Sequence, residues 1–255
     1  MIEAILCDLD GVVYIDGKLI KGAKNGLDAI KEQKIPLKFL SNTTTKTTKD
    51  ICEFLLKMEV DVTEDQIVTP VSLAYDFLQS RNQNVLPILR DSLKSHFELV
   101  TEMNRPDWIL IGDIGSNWTQ GLLDYLFEKI ENGAGILAMH KNAYALRENK
   151  KVLDIGAFIT ALEYGSKKEA ILLGKPSERF FSLAVDSFQV ADKSKILMIG
   201  DDPLADIRGA QNCGISTLFV KSGKSNIEDL RKANVKPDHV LNSLADIPSI
   251  IQNNV

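Results

Sequence analysis

The sequence predicts an α/β fold: a doubly wound parallel sheet with an inserted α/β domain. Three observations predict it. Short apolar runs of strand length alternate with stretches at helical spacing at both ends of the chain. Those runs are nearly continuous rather than alternating, as parallel strands buried on both faces are. Between the two regular ends the alternation loosens, over a stretch long enough to form a domain of its own. The core is therefore expected over residues 1–77 and 169–255, and the inserted domain over 78–168.

The elements follow in order. Ile2 to Leu9 is a short apolar run ending in acid, the pattern of a buried strand. Asp16-Gly17 between Val12–Ile15 and Leu19-Ile20 predicts a small hairpin. Leu27 and Ile30 mark one helix face, Ile35 to Leu40 the next strand, and Ile51, Phe54, Leu55 and Met58 another helix. Thr69-Pro70 opens a helix, with threonine at the cap and proline at the first position. In the middle, Val85–Leu89, Trp108–Ile111 and Gly135–Met139 are expected strands. Asn117 is the expected cap of a helix carrying Leu122, Leu123, Leu126, Phe127 and Ile130, and Phe158, Ile159 and Leu162 mark a further one. Strand Ala170–Leu173 then leads to a helix capped by Ser177, and strand Ile196–Ile199 to a helix from Leu204 to about Asn212. Strand Ser216–Val220 leads to a helix with Ser225 and Glu228 at capping-box spacing. Strand His239–Leu241 and a last helix close the chain.

Composition narrows the function classes. The chain has 255 residues, 44% hydrophobic and 25% charged, the mix of a soluble globular protein able to bury a sizeable core. A net charge of -5, with no long run of one sign, argues against a nucleic-acid partner. No apolar stretch approaches the roughly 20 residues that span a bilayer, so no membrane partner and a cytoplasmic location are expected. Cys7, Cys52 and Cys213 have no disulfide or metal-ligand spacing, and His96, His140 and His239 none either.

Chemistry is expected at the carboxyl ends of the strands, where open α/β sheets bind ligands. Four polar groups fall there. Asp8-Leu9-Asp10-Gly11 places two carboxylates at a buried strand end, a costly arrangement unless a cation pairs with them. Hard oxygen ligands favour magnesium. Ser41-Asn42-Thr43 offers hydroxyls, an amide and backbone N–H groups, the parts of a phosphate cradle. Lys175, before Pro176, can neutralise a phosphoryl oxygen or keep a carboxylate ionised. Gly200-Asp201-Asp202, with Asp206 after it, again ends a buried strand in acid. Each group alone also reads as a turn, a solvated lysine or a helix cap. Together they suit metal-assisted phosphoryl transfer, where catalysis is positioning and charge neutralisation.

The ordered set DxDG, then a serine after a strand, then Lys-Pro, then GDD with a later aspartate, resembles the haloacid dehalogenase superfamily of aspartate-nucleophile phosphatases. The insertion between the second and third motifs, together with Asp10-Gly11-Val12-Val13-Tyr14 and Ile20-Lys21-Gly22-Ala23, resembles the type IIA cap, or NagD-like, branch. Ala138–Asn142 and Phe158–Tyr164 resemble the group around phospholysine phosphohistidine inorganic pyrophosphate phosphatase. That resemblance implies roles. Asp8 would be the nucleophile that forms an aspartyl-phosphate, and Asp10 the general acid and base. Magnesium would be held by the Asp8 and Asp201 carboxylates and the Asp10 backbone carbonyl. Ser41 and Asn42 would bind phosphoryl oxygens, with Lys175 beside Asp8. Asp202 and Asp206 would orient Lys175 or metal-bound water. The expected partner is a small phosphorylated metabolite, with a homodimer through the cap as a further expectation. Two other readings compete: a phosphate-accepting signalling domain of receiver type, and a phosphate-binding protein without catalysis. Asp10 favours hydrolysis, because a switch needs a long-lived aspartyl-phosphate and Asp10 is placed to destroy it.

Overall fold

A computed structural model describes residues 1–147 and 150–252. The chain divides into two compact units. One comprises Met1–Ser41, Thr48–Val68 and Lys175–Val255; the other comprises Asn42–Thr47 and Thr69–Gly174. Both are α/β, in keeping with the predicted fold class.

The first unit is built on a six-stranded sheet. From one edge to the other its strands are His239–Leu241, Ser216–Val220, Ile196–Gly200, Ala4–Asp8, Leu37–Leu40 and Ile67–Val68. Every neighbouring pair is parallel. Ala4–Asp8 and Ile196–Gly200 are buried at every residue, which explains their uninterrupted apolar character. The chain order reverses where these two strands meet. Leu37–Leu40 follows Ala4–Asp8 on one side, while Ile196–Gly200 arrives from far along the chain on the other. A crevice opens outside the carboxyl ends at such a switch point. Ile5, Cys7, Phe39, Leu197 and Ile199 form the core beneath it, packed against Leu27 and Ile30 of the Ala23–Glu32 helix.

The second unit has its own parallel sheet, in the order Ile171–Leu172, Gly135–Ala138, Trp108–Ile111, Val85–Ile88. An antiparallel hairpin, Tyr144–Arg147 with Lys150–Leu153, accompanies it. Leu126 and Ile130 of the Gln120–Glu131 helix and Ile159 of the Ile155–Ser166 helix pack on Ile109, Ile111 and Ile136 of the sheet. Trp118 stacks on Phe158 with ring centroids 4.3 Å apart, so this tryptophan is packing rather than a stacking platform for ligands.

Several local expectations are corrected. Thr119, not Asn117, caps the Gln120–Glu131 helix, because its side chain accepts the Leu122 N–H at 3.1 Å. The capping box near the end of the chain lies one residue later than expected. Asn226 accepts from Glu228 and Asp229 N–H, and Asp229 accepts the Asn226 N–H at 2.9 Å. The helix expected from Leu204 begins as a π-helical turn, Pro203–Arg208, and turns α only over Gly209–Asn212. The strand preceding Lys175, Ile171–Leu172, pairs in the second sheet with Gly135–Ala138, not among the strands of the first. Among the described residues no helix is long and apolar enough to cross a membrane.

Ile109 is fully buried in a central strand of the second sheet. Ile109→Ala should cost about 2–5 kcal/mol, through lost transfer energy and the residual cavity. Urea unfolding followed by a probe on the second unit measures this as a lower midpoint.

Candidate active site

The strand Ala4–Asp8 delivers Asp8 to the switch point. Its register aligns Asp8 with Leu40 on one side and Cys7 with Ile199 on the other. Ser41 and Asp201 are therefore each one residue beyond the end of a flanking strand. Asp8, Asp201, Asp206 and Lys175 are 8%, 2%, 0% and 4% exposed. Burying this much charge is tolerable only if the groups compensate one another.

The compensation centres on Lys175. Its Nζ lies 2.7 Å from Asp8 Oδ1 and 2.7 Å from Asp206 Oδ1. It also donates to the Leu40 carbonyl at 3.4 Å. Burial disfavours a charged lysine, but Asp206 and Asp8 outweigh it and hold Lys175 above the ordinary lysine range. Asp8 Oδ1 additionally accepts the Leu9 N–H at 2.8 Å. Among the described residues its Oδ2 has no such partner. Burial first, and the neighbouring Asp206 second, push the Asp8 carboxyl well above its usual range, against the pull of Lys175.

Asp206 owes its place to the π-helical turn. The wider turn lets Ile207 N–H reach the Asp202 carbonyl at 3.2 Å. Asp206 Oδ2 then faces back and accepts the N–H groups of Asp201 and Asp202 at 3.1 and 3.0 Å. Its other oxygen meets Lys175. Asp206 thus ties the end of the Ile196–Gly200 strand to the lysine. Asp202 plays a different part: Oδ1 caps the turn through Leu204 and Ala205 N–H, and Oδ2 pairs with Lys224 at 2.9 Å. Despite burial, Lys224 holds the Asp202 carboxyl below its usual range.

Asp8, Asp201 and Asp206 each offer an oxygen within 4.8 Å of the others'. Lys175 is the lysine paired with members of this group, so three buried carboxylates face one cation. The excess negative charge is visible in Asp201, which burial and then Asp206 push up to about 6. An all-oxygen, negatively charged pocket of this kind suits a hard divalent cation.

The other predicted residues are placed as follows. Asp10 is exposed, in the turn that pairs with Tyr14. Gly11 beside it holds φ +87°, and a Cβ there would approach Asp201 Oδ2 to 2.6 Å, so only glycine lets this turn close over Asp201. Ser41 is buried at the end of the Leu37–Leu40 strand, its N–H bonded to the Val68 carbonyl at 3.1 Å. Asn42 begins the segment grouped with the second unit. Sequence reasoning missed the Ser222-Gly223-Lys224 turn. The Lys224 N–H binds Asp201 Oδ2 at 2.8 Å, and the Ser222 hydroxyl donates to the Gly11 carbonyl at 2.8 Å. The rule already used would have found it, because the turn closely follows the Ser216–Val220 strand.

Family models match both ends of the chain: haloacid dehalogenase-like hydrolase over residues 5–101 and a second model of HAD-hydrolase type over 172–247. The protein named haloacid dehalogenase-like hydrolase domain-containing protein 2 from Rattus norvegicus is 31% identical over 96% of this chain and 98% of its own. The chain belongs to the haloacid dehalogenase-like hydrolases. Within that family it is a phosphatase. Phospholysine phosphohistidine inorganic pyrophosphate phosphatase from Bos taurus is 28% identical, over 98% of this chain and 94% of its own. A 4-nitrophenylphosphatase from Thermotoga maritima superposes with a TM-score of 0.87 at 26% identity, covering 97% of each chain. NagD from E. coli shares the fold, with a TM-score of 0.85 at 24% identity over 97% of this chain and 98% of its own.

Removing Lys175 from this phosphatase should leave Asp8 and Asp206 buried without a counter-ion. Lys175→Met is expected to destabilise the metal-free protein by about 3–5 kcal/mol. The deficit depends on pH. Without the lysine, which pulls it down, the Asp8 carboxyl in the folded state rises further above its unfolded value of about 4. A raised folded pKa means stability present at low pH and lost as pH rises through the folded value. Denaturation in a chelator at pH 5 and pH 8 should show the larger deficit at pH 8; equal deficits would contradict the ion-pair account.

Proposed function

We propose that this phosphatase hydrolyses a small phosphorylated metabolite through an aspartyl-phosphate on Asp8, with a magnesium ion in the Asp8–Asp201 pocket. The observation that carries the reading is the buried Asp8, held on one oxygen by Lys175 and Leu9 N–H and crowded by Asp201 and Asp206. A carboxylate so placed is fixed in direction, yet keeps one oxygen uncommitted. That is what a nucleophile needs.

In this reading Asp8 attacks phosphorus and forms a P–O bond while the bond to the leaving oxygen breaks. Asp10, exposed in the adjoining turn, gives its proton to that leaving oxygen. Asp10 then takes a proton from water as the water attacks the aspartyl-phosphate, releasing phosphate and restoring Asp8. Lys175 neutralises charge on Asp8 and on the nearby phosphoryl oxygens. Ser41 and Asn42 bind the remaining phosphoryl oxygens. The Asp8 and Asp201 carboxylates, with the Asp10 carbonyl, would hold magnesium, whose charge would offset that of the phosphoryl group. Asp206 and Asp202 act through Lys175 and the Asp201 loop rather than on the substrate. The second unit is read as a cap that selects the substrate.

The family match favours hydrolysis over a phosphate-accepting switch, and a 4-nitrophenylphosphatase among the similar structures suggests the assay. Release of phosphate from 4-nitrophenyl phosphate should require magnesium, stop with a chelator and return when magnesium is restored. Asp8→Asn should lower the rate at least about 10³-fold, the scale on which loss of a catalytic nucleophile is felt. Retained turnover in a folded Asp8→Asn protein would remove Asp8 from the nucleophile's role.

A further inference from the structure

Three backbone strands of different origin meet around the Asp201 carboxylate. The first is its own strand end, held by Asp206 through the Asp201 and Asp202 N–H groups. The second is the Gly11 turn that follows Asp8. The third is the turn Ser222-Gly223-Lys224, contributed by the strand on the far side of Ile196–Gly200. A Cβ on Gly11 would fall 2.6 Å from Asp201 Oδ2, and one on Gly223 would fall 2.1 Å from the same atom. The same Gly11 Cβ would meet Gly223 Cα at 3.0 Å. The two glycines therefore close on the carboxylate from two directions, with no room for a side chain on either.

The third turn is tied down at both ends. Ser222 Oγ donates to the Gly11 carbonyl at 2.8 Å. Lys224 donates its backbone N–H to Asp201 Oδ2 at 2.8 Å, and its Nζ pairs with Asp202 Oδ2 at 2.9 Å. Asp202 is in turn fixed by its capping bonds to Leu204 and Ala205. The result is a closed circuit: Asp8 and Gly11 to Ser222, Lys224 to Asp201 and Asp202, and Asp206 to Lys175 and back to Asp8.

We propose that Ser222 and Lys224 are positioning residues that set the affinity of the acidic pocket for magnesium. Their turn engages Asp201 Oδ2 with a fixed N–H, so that Asp201 presents its other oxygen to the cation. This inference rests on the reading that Asp8 and Asp201 hold magnesium. Lys224 Nζ pairs with Asp202, beside the three-carboxylate group; its work is to keep the turn, and hence its own N–H, on Asp201. Its side chain is 68% exposed, so its direct Coulombic pull on Asp201 is weakened by solvent and the tether acts beside it.

The test is a calorimetric titration of the full-length protein with Mg2+ alone, beside thermal melting of the metal-free samples. Wild type should bind. Lys224→Met and Ser222→Ala should each bind on the order of tenfold more weakly, the loss typical of groups that orient metal ligands. Lys224→Arg should recover most of the affinity, because it keeps a cation for Asp202. Mg2+ binding by both variants within twofold of wild type would overturn the inference while leaving the nucleophile reading intact. Equal weakening in Lys224→Met and Lys224→Arg, in step with lowered melting points, would show a merely structural turn and also overturn it. A wild type that binds no Mg2+ would overturn the cation reading itself, and this inference with it.

Discussion

Asp8 and Asp206 come from opposite ends of the chain and share one lysine. Each carboxylate is within 2.7 Å of Lys175 Nζ, and all three groups are buried. The desolvation of a lone buried charge is several kcal/mol, so none of the three is tolerable alone. Lys175 stays protonated because two acids face it. Asp8 stays aligned because the lysine and the Leu9 N–H grip the same oxygen. The elements around the site follow from this pairing. The strand Ala4–Asp8 must end level with Leu40, and the turn after Ile196–Gly200 must widen to bring Asp206 round.

One lysine does not neutralise three acids. Asp201, pushed up to about 6 by burial and Asp206, carries the imbalance, and Lys224, whose Nζ pairs with Asp202, relieves it only in part. The pocket is thus built with unspent negative charge in a place that excludes most water. Such a site is unfavourable empty and favourable around a cation. Binding and folding are linked through it, because anything that binds the folded pocket alone stabilises the fold.

How much of this was legible follows from which signals are local. The strands Ala4–Asp8, Leu37–Leu40, Trp108–Ile111 and Ser216–Val220 were legible because a parallel strand buried over much of its length is written mostly in apolar residues. Asp8, Lys175 and Asp201 were legible because acids and a lysine beside apolar runs break that pattern. Ile67–Val68 was not, since two residues carry no periodicity. The cap at Thr119 was misjudged for a related reason: Asn117 and Thr119 are both capping residues, and only backbone geometry separates them. The π-helical turn left no mark, because Leu204–Asn212 has ordinary helical composition.

Lys224 shows a subtler limit. Its nearest sequence neighbours form a common glycine turn, and its side chain is mostly exposed. Sequence patterns register burial, whereas Lys224 touches Asp201 through a backbone N–H and uses its side chain only to anchor the turn to Asp202. What singles it out is the partner, Asp201, which lies 23 residues away. Strand pairing brings them together: Gly200 aligns with Phe219, so the residues following the two strands emerge side by side. A site at the ends of parallel strands is therefore assembled by register as much as by residue identity. The motif letters name the acids, and the register decides which backbone holds them.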